Sequence, residues 1–174
     1  MKRAHVRYHL AVWTGAMLLA AAPALADVEV RFIEGAPKDR FVIRNAGACD
    51  LERAEIVIDL SGSVGALVFD TTPTGAGVEV FQPFEMVEGA NALNGLPEVG
   101  DGDMAIAMSV ARLGAGGTIA FTIDVDDTLG SRAITVTDGE ISGAEVRAIV
   151  ERTTSRGAFD GASVARVPLD ACSK

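Results

Sequence analysis

From Thr118 to Val125 the chain alternates strictly, with Ile119, Phe121, Ile123 and Val125 on one side and Thr118, Ala120, Thr122 and Asp124 on the other. A period of two is that of a half-buried β-strand and does not fit the apolar stripe of a helix. Shorter stretches repeat the pattern at Val28–Phe32, Phe41–Arg44, Glu55–Leu60 and Leu67–Asp70. Turn sequences such as Asn45-Ala46-Gly47 and Ser61-Gly62-Ser63 punctuate them. A strand at Val78–Phe81 is closed by Pro83, which has no N–H to give a ladder. Further strands are expected at 133–137, 145–150 and 163–167. Asp103–Leu113 alternates too, yet its Ala and Met content also suits a short helix capped by Asp103. The stretch Glu88–Gly102 is the longest break and reads as a surface loop. Short strands at close intervals predict an all-β fold: a single-domain antiparallel β-sandwich, Ig-like or jelly-roll-like, of about 8–10 strands.

The first 26 residues stand apart. Lys2, Arg3 and Arg7 precede an apolar stretch from Leu10 to Ala22, and Ala24-Leu25-Ala26 follows as a small-x-small site. This is the layout of a signal peptide cleaved after Ala26, and about 13 apolar residues are too few to span a bilayer. No cysteine follows the site and no second apolar run of spanning length exists, so the mature chain, residues 27–174, is expected in the periplasm or outside the cell. Taking 26 residues from 174 leaves 148, and losing three of 15 basic groups against 24 acidic ones takes the net charge from −9 to −12. That balance argues against a nucleic-acid partner.

Both histidines (His5 and His9), Trp13 and Tyr8 all lie in the leader. The mature chain therefore has no imidazole for a Ser-His-Asp or Cys-His arrangement, a general base or a zinc site. A Ser-Lys nucleophile would need Lys38 or Lys174, and neither has a partner at a recognisable spacing. Two cysteines are too few for a zinc or iron–sulfur cluster, and no phosphate or dinucleotide loop is present. Carboxylates are the remaining chemical resource, and the expectation is a protein that is not an enzyme.

Asp124, Asp126 and Asp127 crowd the end of the clearest strand. Period two puts Asp124 and Asp126 on one face with Asp127 at the turn, where like charges repel unless a cation or Arg offsets them. Two readings stand: a calcium site built from these three residues, or a solvated acidic edge that keeps the protein soluble. Asp59 and Asp70 close other strands and are candidates to converge on the same place, and Asp101-Gly102-Asp103 is a second, weaker cluster. A paired-carboxylate glycosidase would need two carboxyls at a set separation across a cleft, which the sequence does not show. Arg31, Arg40, Arg44 and Arg53 are expected to pair with surface acids rather than form an anion patch. Phe81-Gln82-Pro83-Phe84 reads as core on either side of a bend. An even pair of cysteines behind a leader favours a Cys49–Cys172 disulfide over two free thiols, and closing so long a loop is worth about 4–5 kcal/mol on chain-entropy grounds.

Several strings carry a family likeness: Glu34-Gly35-Ala36-Pro37-Lys38-Asp39-Arg40-Phe41, Asn45-Ala46-Gly47-Ala48-Cys49, Ile58-Asp59-Leu60-Ser61-Gly62-Ser63, Gly75 to Phe84, and Phe121 to Gly130. Together they resemble the aggregation factor core proteins of bacteria, named for a segment similar to the core protein of sponge aggregation factor. The resemblance spans roughly Val28–Val150. In sponges the name implies a calcium-dependent adhesion assembly; for small bacterial members the resemblance implies only a secreted β domain, with no catalytic residues. This chain carries neither the calcium repeats of the larger family members nor an N-x-Ser/Thr acceptor, since Asn45, Asn91 and Asn94 all fail the pattern.

The reading is thus a secreted adhesion or interaction module with a protein or glycan surface as partner, its acidic loops ordered by calcium if the first of the two readings holds and otherwise without a cofactor. Its contacts are expected on loops 70–77, 88–102 and 124–131, because rigid scaffolds carry function on loops. Two alternatives remain: a carboxylate-dependent secreted hydrolase, with a buried Asp in a deep pocket, and a periplasmic assembly subunit offering a free strand edge.

Overall fold

A computed structural model describes residues 26–74, 81–129 and 135–169. The leader, with its cleavage site, and Cys172 lie outside the described residues. Among the described residues, ten strands form two antiparallel sheets: β1 (Ala26–Ile33), β2 (Asp39–Asn45), β3 (Leu51–Asp59), β4 (Val68–Asp70), β5 (Glu85–Glu88), β6 (Ala105–Leu113), β7 (Thr118–Asp126), β8 (Glu145–Val150), β9 (Thr153–Ala158) and β10 (Val164–Leu169). One sheet runs β10-β1-β2-β7, and β5 and β4 share the far edge of β7 in succession. The other runs β6-β3-β8-β9. The all-β sandwich expected from alternation is the observed architecture.

Alternation explains the core directly. Phe41 and Ile43 of β2 and Ile119, Phe121, Ile123 and Val125 of β7 face inward, against Ile56 and Ile58 of β3 and Ile106 and Met108 of β6. Phe41 is the hub of the rings: Phe121 stacks on it with centroids 5.2 Å apart, and Phe32, Phe69 and Phe159 surround it. Such ring pairs add about 0.5–1.5 kcal/mol each beyond the area they bury. At Gly157, β9 of one sheet passes β10 of the other so closely that a Cβ there would collide with the Arg166 backbone.

Asn45 ends β2 as the sequence implies, but does more than turn. It is 1% exposed, and its amide donates to the carbonyls of Cys49, Leu113 and Gly114 while its Oδ1 accepts from Gly47 N–H. This one side chain ties the first sheet to the end of β6, in the second sheet.

Several expectations change. Within 103–113 the chain is strand, not helix, from Ala105 onward: β6 buries Ile106, Met108, Val110 and Leu113 against the core. The strand expected at 78–81 begins outside the described residues, and Phe81 itself lies in no strand. That expected at 133–137 also begins outside them, and residues 135–137 lead instead into a short helix, α1 (Asp138–Ile141). Its start is fixed by the Glu140 carboxylate, which accepts the Thr137 N–H at 2.7 Å, a capping box that local side chains supply without tertiary help. Strands β5 and β9 had no clear alternation: β9 is Thr-Thr-Ser-Arg-Gly-Ala and mostly exposed. The stretch 88–102 is the expected surface loop, exposed or half-exposed apart from Ala92, and a 3-10 turn at Ala90–Ala92 and a bridge from Leu93 to Val110 fasten it to β6. Among the described residues, no helix is long and apolar enough to cross a membrane.

Candidate metal centre

Beyond Phe121 the non-core face of β7 changes character. Thr118, Ala120 and Thr122 give way to Asp124 and Asp126, which share that face by the two-residue period. At this end β7 is paired by β4, in a register that sets Asp70 directly opposite Asp124 and Val68 opposite Asp126. Phe69, between them, points into the core, so Val68 and Asp70 turn to the same outer side as the two β7 carboxylates. Asp70, Asp124 and Asp126 thus meet, each offering a carboxylate oxygen, with these oxygens all within 4.8 Å of one another.

Directly opposed like charges destabilise a strand pair, and here they are also shut from water. Asp70 is 0% exposed, Asp126 3% and Asp124 8%, which removes the solvated acidic edge as an account of these residues. Neither oxygen of Asp70 has a hydrogen-bond partner, nor has Oδ2 of Asp124. Among the described residues no Lys or Arg forms an ion pair with Asp70 or Asp124. Arg40 stands opposite Thr122 on the neighbouring β2, but its buried Nε is itself without a partner. At 4.8 Å, two full charges repel by about 3–4 kcal/mol at an effective dielectric constant of about 20.

Protonation relieves part of that strain. Burial, then the neighbouring Asp126 and Asp70, pushes the Asp124 carboxyl up to about 7. Burial, then Asp101 and Asp126 beside it, pushes Asp70 to about 6. A divalent cation would relieve all of it. Hard oxygen donors with no nitrogen or sulfur among them fit calcium or magnesium rather than zinc or copper.

Three neighbours build the frame. Asp39 begins β2, and its carboxylate closes the open end of the β2–β7 ladder: Oδ2 accepts Val125 N–H and Oδ1 accepts Gly35 N–H, each at 3.1 Å. Burial raises its carboxyl to about 7 even with those two donors lowering it. Asp101 Oδ1 accepts the N–H groups of Thr71 and Thr72, holding the turn that leaves β4. The backbone of Gln82 bridges the two strands, donating to the Asp70 carbonyl and accepting from Asp124 N–H.

The structure therefore brings Asp124 and Asp126 together as the sequence implies and replaces the third member. Asp127 is buried, with one oxygen unpartnered, but is not among the converging carboxylates. It lies just past β7, which ends at Asp126, where the chain leaves the strand. Asp70 takes its place because of strand register, a long-range pairing that no local spacing reveals. Asp59 does not join them: it lies on the other sheet, bonded to Ser61 and ion-paired with Arg147 at 3.0 Å. Asp103 only closes its own turn, accepting Gly100 N–H. Of the four early arginines, Arg31 alone forms an ion pair among the described residues, with Glu29. Phe84 packs on Phe121 as the bend predicted, and Phe81 is half-buried. Cys49, just after β2, is half-buried and not a free thiol, while its expected partner Cys172 lies outside the described residues.

Compared with known proteins, the chain matches no family model, no curated protein and no solved structure.

Proposed function

We propose that this chain is a secreted, non-enzymatic interaction module of the aggregation factor core kind, a β-sandwich whose acidic end is held together by calcium. One observation carries the calcium part: three buried carboxylates converge on the outer side of the seam between β4 and β7, and Asp70 and Asp124 among them have oxygens without a hydrogen-bond partner. The burial of Asp70 and Asp126 favours a structural ion over one shared with a partner, since an outside carboxylate has no route to it. A hydrolase is disfavoured because Asp70, Asp124 and Asp126 are buried rather than presented to a substrate in solution. The secretory pattern of residues 1–26, the resemblance and the lack of imidazole in residues 27–174 support export and binding rather than turnover. A Cys49–Cys172 bridge would fasten the C-terminal end in that setting.

Thermal melting near pH 8 in calcium and then in chelator tests the reading. A ligand that binds only the folded chain adds about 2.7 kcal/mol at a hundredfold excess over its Kd. For a chain of this size that is a rise of about 5–10 °C. An unchanged melting temperature at millimolar calcium rejects the site.

A further inference from the structure

We propose that the cation does more than add stability: it decides whether β4, and the turns fastened to it, are docked on β7 at all. This rests on the calcium reading of the same site. The carboxylate cluster is divided between the two strands, with Asp70 on β4 and both Asp124 and Asp126 on β7. Repulsion among them therefore acts across the β4–β7 seam, and a cation bridging them closes it.

The seam is short. Strand β4 has three residues, and its pairing with β7 extends only from Val68–Asp126 to Asp70–Asp124. At its end the Gln82 backbone holds Asp70 and Asp124 by one hydrogen bond to each, at 3.3 and 3.1 Å. The outer edge of β4 carries the next layer. Phe69 N–H donates to the Asp103 carbonyl and Gly102 N–H donates to the Phe69 carbonyl. Asp101 in that same turn receives Thr71 and Thr72. The turn at 100–103 and the turn at 71–72 are thus attached to the sheet through β4. Against the repulsion stand the fully buried Leu67 and Phe69, which keep the inner side of β4 anchored. The balance is a local opening rather than global unfolding, in which only the outer, charged side of the corner lets go. Both turns are exposed or half-exposed, so the cation controls the surface that this end of the sandwich presents.

Amide hydrogen exchange of the full chain near pH 8, with calcium and with chelator, tests this. On chelation, exchange at Asp70, Thr71, Thr72, Gln82, Asp124 and Asp126 is expected to accelerate at least about tenfold, with Ile56 and Ile58 in the other sheet unchanged. Asp70→Asn removes the charge that β4 contributes, so in chelator its seam should exchange more slowly than the wild type, with little further response to calcium. Calorimetric titration with calcium runs alongside. If calcium binds and seam exchange is the same with and without it, the docking proposal is overturned and the site stands. If all amides accelerate together on chelation, the ion is a global stabiliser and the proposal again fails. If calcium does not bind, both fall.

Discussion

The two sheets carry acids on their outer faces and deal with them in opposite ways. On the four-stranded sheet, Asp59 and Glu145 meet Arg147 across β3 and β8, and Arg156 reaches Glu145 from β9. Its hydrogen bond from Ser61, with Arg147 beside it, holds the Asp59 carboxyl below the usual range. On the six-stranded sheet, Asp70 and Asp124 meet each other, have no such partner, and are pushed up instead. One residue type in one kind of strand thus settles as a solvated ion pair or as a buried cluster of like charges. The difference lies in what the facing strand offers, Arg147 in one case and another Asp in the other. A cluster of the second kind is stable only with a proton or a cation among its oxygens.

The largest expected effect breaks the contrast at its source. Asp124→Asn should abolish the calcium-dependent rise of about 5–10 °C and, in chelator, melt higher than the wild type, because a repelling charge is gone. Asp59→Asn should do the reverse, melting lower and leaving the calcium response intact. Differential scanning calorimetry of both variants reads this out.

Acidity should sharpen the contrast by a comparable amount. Asp39, Asp70 and Asp124 hold protons in the folded chain up to about pH 7, 6 and 7, against 3.8 for the ordinary carboxyl. The folded state then binds more protons than the unfolded one between those values, and stability falls as the pH rises through them. In chelator the melting temperature should therefore drop by several degrees between about pH 5 and 8. Saturating calcium should remove much of the drop, since the ion replaces the protons at Asp70 and Asp124. A melting temperature that climbs over this range in chelator would contradict the assignment.

These two regions also differ in how legible they are from the chain. The β7 alternation announces a strand with Asp124 and Asp126 on one face, and that part of the site follows from residues 118–126 alone. Asp70 enters through the β4–β7 register, set by which apolar faces meet in the core, and only its place at a strand end hints at a role. Asp127 misleads because it falls just after β7, where the two-residue period no longer sets the direction of a side chain. Strands β5 and β9 are hidden for a different reason: as edge strands they bury little, so no apolar alternation marks them.

A satisfied buried polar group gives the next contrast. Asn45→Ala removes three donated hydrogen bonds and leaves the Leu113 carbonyl buried without that donor, at a cost of about 2–3 kcal/mol. Unlike Asp124→Asn, it should be destabilising whether or not calcium is present, which chemical denaturation in both conditions checks. The smallest effect belongs to Arg147→Ala. Its partners are half-exposed, so the loss should be under about 1 kcal/mol and should shrink in high salt.

Counting the ion is the most direct test. Equilibrium dialysis of residues 27–174 against calcium, at about pH 8 where the buried carboxyls give up their protons, should find about one ion per chain held at millimolar concentration or below. The Asp70→Asn, Asp124→Asn double variant, folded by the same near-native spectrum, should hold none. Equal calcium on the two proteins, or none on either, would mean that the β4–β7 carboxylates are not a metal centre.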